Sequence, residues 1–511
     1  MPCLHVSRLD PVIRAQKSAR GQLFSGPPAL DFSNKPRYAN TLERRARSEL
    51  SEAFLLRIPP HAQGVENRHR SAAGQRPVAH TMTTQIREDR NIAGSGVTAV
   101  VMNLFYTGLG IARSLGERGI PVIGLTAHRG TYGNYTRYAK TIRCADSRTD
   151  PETLRTELVA LGRKLGRRSV LFPTRDHDLV LLDTFRRELE PYFSLVMPQT
   201  DALERCLNKW ETYLWATRTS VAAPKCWLIQ DEQDLRKAAE EVTYPCVLKP
   251  LAAHHWRSAR NWELVGARKA ISVESREQLV AEYAATARAD RQALVQESIA
   301  GRDECLVVAA CYVDRHSNVQ AGFNAQKLVQ TPPGFGTGCI VQSADRPELF
   351  ERSTRLLQAI GFTGIAEVEY KWDATDNDYK LIEINPRPWD QHRLGAACGV
   401  DLIYLAYCDH AGLPAPDVQV RFTARKWIAE DALLMTVLRL LWRREPGLGA
   451  LLRQARGRRL YAIWSFRDPL PFIAYVARLI PQLIAMGFHR TRRVPATTPR
   501  PGQETPVRAS Q

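Results

Sequence analysis

A chain of 511 residues has room for roughly three domains, and its 44% hydrophobic content suits buried cores of ordinary globular size. The formal charge is +18, but residues before Gly96 carry roughly +7 of it and residues after Leu413 roughly +11, so the middle is close to neutral. Ten singly scattered cysteines exclude a zinc or paired-cysteine redox motif, and no uninterrupted apolar run reaches the ~18 residues of a bilayer span.

The first residues lack the apolar stretch of a secretory leader, so a cytoplasmic chain with reduced, buried thiols is expected. Residues 1–95 mix Arg, Ser, Ala, Gly and Pro with little periodicity and read as a basic, disordered extension; Met82 is an alternative start. From Val97 the pattern changes. Val97–Val101 is a buried-strand run, Ile111–Arg118 a helix, and Ile120–Leu125 the next strand, with Gly108 and Gly110 placed in the intervening turn. Ser169–Phe172 adds a strand, and Asp178–Leu189 a helix after Pro173-Thr-Arg-Asp176. Residues 96–200 therefore read as a Rossmann-like α/β domain. Gly108-Leu-Gly110 lacks the third glycine and the acidic partner of a dinucleotide site, so its glycines are read as packing helix on strand.

Residues 201–413 form a second region, with strands over Cys246–Lys249, Ala293–Glu297, Glu304–Val308, Ile365–Tyr370 and Lys380–Ile384 and helices over Gln278–Arg288 and Pro347–Ile360. Neighbouring antiparallel pairs point to α+β architecture. Residues 414–511 read as a basic helical region with a disordered tail. Leu433–Trp442 and Phe472–Phe488 are its apolar segments, flanked by arginines. Packed helices with a solvated basic surface are favoured over a helix pair resting on an anionic membrane. Neither basic end interleaves aromatic residues as a nucleic-acid-binding motif does, so no nucleic-acid partner is expected.

The densest chemistry lies in Leu381-Ile-Glu383-Ile-Asn385-Pro-Arg387. Strand alternation places Leu381, Glu383 and Asn385 on one side. A carboxylate beside an amide oxygen offers two ligands to a hard cation such as Mg²⁺, with Mn²⁺ as the alternative. The preceding strand puts Glu367, Glu369 and Lys371 on one face, and an antiparallel pairing brings Glu369 near Glu383, where like charges repel unless a cation intervenes. Lys249 ends an apolar strand, Lys209 heads a helix, and Gln296-Glu297-Ser-Ile299 runs into a glycine turn followed by Glu304.

In combination and order, Lys209, Val247-Leu-Lys249-Pro250, Gln296-Glu297-Ser-Ile299 with Glu304, Val368-Glu369-Tyr370 and Glu383-Ile-Asn385-Pro-Arg387 resemble the ATP-grasp superfamily. The likeness covers about Val97 to Leu413. Lys269-Ala, Gln326-Lys327-Leu, Pro332-Pro-Gly-Phe-Gly336-Thr-Gly338 and Asn385-Pro-Arg-Pro-Trp389 are similar to the carboxylate–amine ligases related to D-aspartate ligase. The resemblance implies a Rossmann-like domain followed by a two-lobed ATP-grasp fold. It implies that Lys209 and Lys249 hold ATP phosphates, that Glu297 and Ile299 meet adenine through backbone groups, and that Glu304 meets the ribose. Glu369, Glu383 and Asn385 would hold Mg²⁺, Arg387 the transferred phosphate, and Lys327 the γ-phosphate or the acid. The expected partners are a small carboxylic acid and an amine, joined through an acyl-phosphate. One departure is the stretch Ala252–Asn261, which lacks the glycines of a phosphate loop; His255, Arg257 and Arg260 are the candidates to cover phosphate there. The alternatives are another ATP-grasp chemistry such as carboxylation, and a non-catalytic, membrane-associated ATP-binding protein.

Overall fold

The computed structural model describes residues 96–258, 260–418 and 423–490, all within one compact unit. The expected N-terminal extension, the alternative start Met82, Cys3 and the tail from residue 491 lie outside the described residues.

The first sheet comprises β1 (Ala99–Met102), β2 (Val122–Thr126), β3 (Lys140–Arg143), β4 (Ser169–Phe172) and β5 (Phe193–Leu195). All pairings are parallel, in the order β3-β2-β1-β4-β5. Parallel neighbours need crossovers, and α1 (Tyr106–Gly116), α2 (Pro151–Leu165) and α3 (Asp176–Thr184) lie within them. Local chemistry sets the ends of α2: the Asp150 side chain accepts from the Thr153 amide, Pro151 occupies the first turn, and Gly166 leaves the helix at φ 68°. Helix α1 starts earlier than the sequence pattern suggests. Gly108 and Gly110 sit inside it, and the turn before it is made by Asn103 at φ 62°. A Cβ at Gly108 would stand 1.8 Å from the Asn103 carbonyl oxygen, so that glycine permits the helix to approach the strand end.

Helix α4 (Lys209–Arg218), whose N-terminus is capped by the Asn208 side chain, leads into the second sheet. Its strands β6 (Cys226–Ile229), β7 (Cys246–Pro250), β8 (Ile271–Val273) and β9 (Ala293–Glu297) are ordered β6-β9-β7-β8, with antiparallel pairings throughout. Helices α5 (Glu232–Glu241), capped by Asp231, and α6 (Arg276–Thr286), capped by Ser275, supply Leu235, Ala238 and Leu279 to its core.

The third sheet holds β10 (Leu306–Val313), β11 (Val319–Thr331), β12 (Thr337–Ala344), β13 (Gly364–Asp373), β14 (Asp378–Asn385), β15 (Lys426–Ile428) and β16 (Arg459–Tyr461). Its order is β14-β13-β10-β11-β12-β15-β16, antiparallel except for β15 with β16. Helix α7 (Pro347–Ile360) packs Leu349, Leu356, Leu357 and Ile360 against it. The ordinary strand pattern misses β11 because one face carries Asn324, Gln326 and Leu328 while the buried face includes Lys327 among Ala321, Phe323 and Ala325.

The C-terminal region is more than the helical extension expected of it. Helices α8 (Glu430–Arg443) and α9 (Leu470–Arg490) contain the two apolar segments, but β15 and β16 continue the third sheet between and before them. No described helix is long and apolar enough to cross a membrane. Of the described cysteines none is in a disulfide, and Cys206, Cys246, Cys311, Cys339, Cys398 and Cys408 are buried.

Candidate active site

The three sheets converge on a cavity of about 740 Å³. The first sheet contributes the loop after β4, Thr174–His177. The second contributes Lys249 and Gln296, and the third Lys327, Glu367, Glu369, Glu383 and Asn385.

Strand register assembles the acidic wall. In the β13–β14 pair Glu369 lies directly opposite Glu383, and Glu367 opposite Asn385. A register shift beyond Glu369 pairs Tyr370 with Leu381 and leaves Ile382 as the extra residue. Strict alternation along Leu381, Glu383 and Asn385 therefore fails: Leu381 is fully buried in the core behind the sheet, while Ile382 lines the cavity with Glu383 and Asn385.

Lysines face these carboxylates. Lys327 projects from β11 and pairs with Glu369. Lys209, the first residue of α4, stands 3.6 Å from Glu383. Lys249 on β7 donates to Gln296 Oε1 at 2.8 Å, and the Tyr213 hydroxyl lies 2.8 Å from the same oxygen. Burial, with Lys209 nearby, lowers the Lys249 ammonium to about 8. Burial opposes ionisation of Glu383 too, but Lys209, Lys249 and Lys327 outweigh it and hold the carboxyl down to about 2. Glu367 goes the other way: burial, reinforced by Glu369 against the pull of Lys327, lifts it to about 7. Asn385 donates to Glu367 at 3.0 Å and Glu383 at 3.2 Å. Among the described residues no three His, Cys, Asp or Glu converge as a ready-made metal site.

Arg387 reaches across to the first sheet's domain. Its Nε donates to Asp176 Oδ1 at 2.7 Å, and Arg257 stands 3.7 Å from the other Asp176 oxygen. Burial opposes both charges, yet the mutual attraction keeps Asp176 well below the usual carboxylate range and raises Arg387. Asp176 is a cavity-lining residue that the sequence did not single out. The available signal was its position, just past a strand end in Pro173-Thr-Arg-Asp176, where α/β sheets place ligands.

The other end of the cavity differs from expectation. Ile299 lines it, and the Ile299 carbonyl accepts from Lys371 Nζ at 2.7 Å. The Glu297 side chain alternates away from Gln296 toward Lys225 and Lys380, and the Glu297 amide donates to the Lys225 carbonyl at 2.9 Å. Glu304 does not line the cavity. A short 3₁₀ turn at Asp303–Cys305 directs its carboxylate to Gln454 Nε2 at 2.7 Å. In the glycine-free loop, His254 and Arg257 line the cavity, while His255 turns to Asp290 at 2.7 Å. His254 is held neutral, with burial and then His255 lowering it to about 3. Lys269 also lines the cavity, lowered to about 8 by burial and by Arg257.

An antiparallel sheet and a larger sheet close on one cavity, with paired carboxylates facing lysines, an arrangement consistent with an ATP-grasp fold. Residues 215–409 match the family model described as carbamoyl-phosphate synthase L chain, ATP binding domain. The chain is 25% identical over 265 residues to D-aspartate ligase of Enterococcus faecium, covering 49% of this chain and 62% of that protein. It is 28% identical over 172 residues to D-alanine–D-alanine ligase of Ectopseudomonas mendocina, covering 32% and 50%. It thus spans less than two thirds of either relative's length. A biotin carboxylase structure from Campylobacter jejuni superposes with TM-score 0.50 at 19% identity, over 62% of this chain and 72% of that one, and shares the fold.

Proposed function

We propose that this protein is an ATP-dependent ligase that activates a small-molecule carboxylic acid as its acyl-phosphate and joins it to an amine. The observation that carries this reading is the convergence of Glu369 and Glu383, opposite each other in register, with Lys209, Lys249, Lys327 and Arg387 around one cavity. The similarity to two ligases supports it.

The chain's own residues account for each step. The acid's oxygen attacks the γ-phosphorus, and ADP leaves with the electron pair of the broken P–O bond. Lys209 and Lys249 neutralise the triphosphate, and Arg387 and Lys327 hold the transferred phosphoryl group and the acid in line. The amine nitrogen then attacks the acyl carbon, the C–O bond to phosphate breaks, and orthophosphate departs. The nitrogen's surplus proton passes to solvent.

The oxygen donors of Glu369, Glu383 and Asn385 suit Mg²⁺ (or Mn²⁺), and Glu367, lifted mainly by burial and further by Glu369 and Glu383, stands beside them. Because these groups do not close into a cage unaided, the cation would be held jointly by one or two carboxylates and the phosphates, as is usual for Mg²⁺. When bound it supplies charge neutralisation between the acid and the γ-phosphate. Adenine would lie near Ile299 and Lys371.

ATP-dependent phosphate release, screened over acids and amines, tests the reading. Trapping with hydroxylamine should give a hydroxamate, and Glu383→Gln should lower turnover by about a hundredfold or more. Release with bicarbonate but with no amine would favour carboxylation. For the basic C-terminal region, whose Trp442 is 74% and Phe466 89% exposed, we propose peripheral contact with an anionic membrane. Cosedimentation with phosphatidylserine vesicles, lost at high salt, is the check.

A further inference from the structure

Beside the main cavity lies a second one of about 260 Å³, walled largely by the C-terminal segment Arg459–Phe466. That segment falls outside the residues 215–409 of the family match, whereas Asp390 and Arg393 of the same cavity fall within it. Asp390 lines both cavities and is the residue they share with no counter-ion. Its Oδ1 accepts from Thr107 Oγ1 at 2.6 Å, and among the described residues no cation stands within ion-pair distance of it. Arg387 and Lys269 feel its charge only from beyond contact, and Arg113 in the cavity wall is committed to Asp468, so this half-buried carboxylate keeps an oxygen free for a donor at hydrogen-bond distance.

The walls are aromatic. Tyr106 meets Trp427 edge-on at 5.7 Å between ring centroids, and Trp464 meets Phe466 at 5.2 Å. The Tyr106 hydroxyl is held by Asp431, and Glu430 accepts from the amides of Ile463 and Trp464, so the walls are fixed from behind. Arg393 lines the cavity but is committed to Glu117 at 3.0 Å, whereas exposed Arg459 has no acidic partner among the described residues.

We propose that this second cavity is the site of the amine substrate, and that the amine is a free α-amino acid. Its ammonium sits on Asp390, facing the main cavity, and its carboxylate on Arg459. Its side chain lies among the rings, which also favour a cation at their faces. The polarity decides the orientation. Asp390 repels a carboxylate and attracts an ammonium, so the reacting nitrogen is placed at the boundary with the cavity where an acyl-phosphate would form; there it gives one proton to solvent before it attacks and a second as the amide forms. The inference deepens the ligase reading and rests on it.

The test uses the full chain and separates the two ideas. Isothermal calorimetry, with and without a non-hydrolysable ATP analogue and Mg²⁺, is run against a panel of proteinogenic amino acids, their N-acetyl forms and their methyl esters. Trp427 and Trp464 should report the same event through intrinsic fluorescence. At least one free amino acid should bind, and its N-acetyl and ester forms should fail. Arg459→Gln and Asp390→Asn should each weaken binding about tenfold or more. Arg459 is exposed, and Asn at 390 can still accept from Thr107, so both variants should fold, with the melting temperature as control. Binding of no free amino acid, equal binding of the esters, or binding unchanged in both variants would overturn the subsite. Failure of the analogue to bind at all would instead sink the ligase reading.

Discussion

Lys249 carries a pH dependence that can be measured directly. With burial holding its ammonium near 8 instead of the ordinary value near 10.5, the side chain loses its charge as pH rises through about 8. A polyphosphate favours the charged form, so ATP binding should take up protons above pH 8, and affinity should fall across the same window. Calorimetry in buffers of different ionisation enthalpy reads the uptake. Lys269, also near 8, contributes to it. Lys249→Arg, which stays charged, should remove the Lys249 share. Asp176 makes a second case. It neutralises Arg387 and Arg257 in a buried setting, so Asp176→Asn leaves two guanidinium groups without their carboxylate. The expected cost is about 3 kcal/mol in chemical denaturation.

Among the elements, the β13–β14 pair shows how far periodicity reaches. The facing of Glu369 and Glu383 follows from two strands and a short connection, and it is legible in the chain. The extra residue at Ile382 is not, because a bulge depends on how Leu381 is drawn into the core against Tyr370. The connection from β11 to β12 is similarly constrained. A Cβ at Gly336 would lie 2.0 Å from the Pro332 carbonyl oxygen. Gly336→Ala should therefore force the loop open. The expected outcome is a loss of about 1–3 kcal/mol in thermal unfolding together with a raised KM for ATP, since Gly334, Gly336 and Gly338 line the cavity.

In the whole molecule, the C-terminal region is tied into the site's sheet. β15 covers the edge of β12, and Gln454 holds Glu304. Arg113 of α1 is buried against Asp468 at 3.0 Å and against the Ala462 and Ile463 carbonyls. Truncation after Leu413 removes all of these contacts and bares a long strand edge. The truncated chain should be recovered mainly as aggregate, measured as the soluble fraction and by light scattering.

The residues of the acidic wall and Lys209, Lys249 and Lys327 were readable from the chain alone, because each stands at a recognisable place in its own strand or helix. The positions of strands β4 and β9 and of helix α7 followed from apolar runs bounded by turn residues. Tertiary structure alone turned Glu304 toward Gln454, made Asp176 the partner of Arg387, and set Asp390 between two cavities. Those pairings join residues 150 or more positions apart, and no local pattern of polarity encodes which distant side chain will arrive opposite.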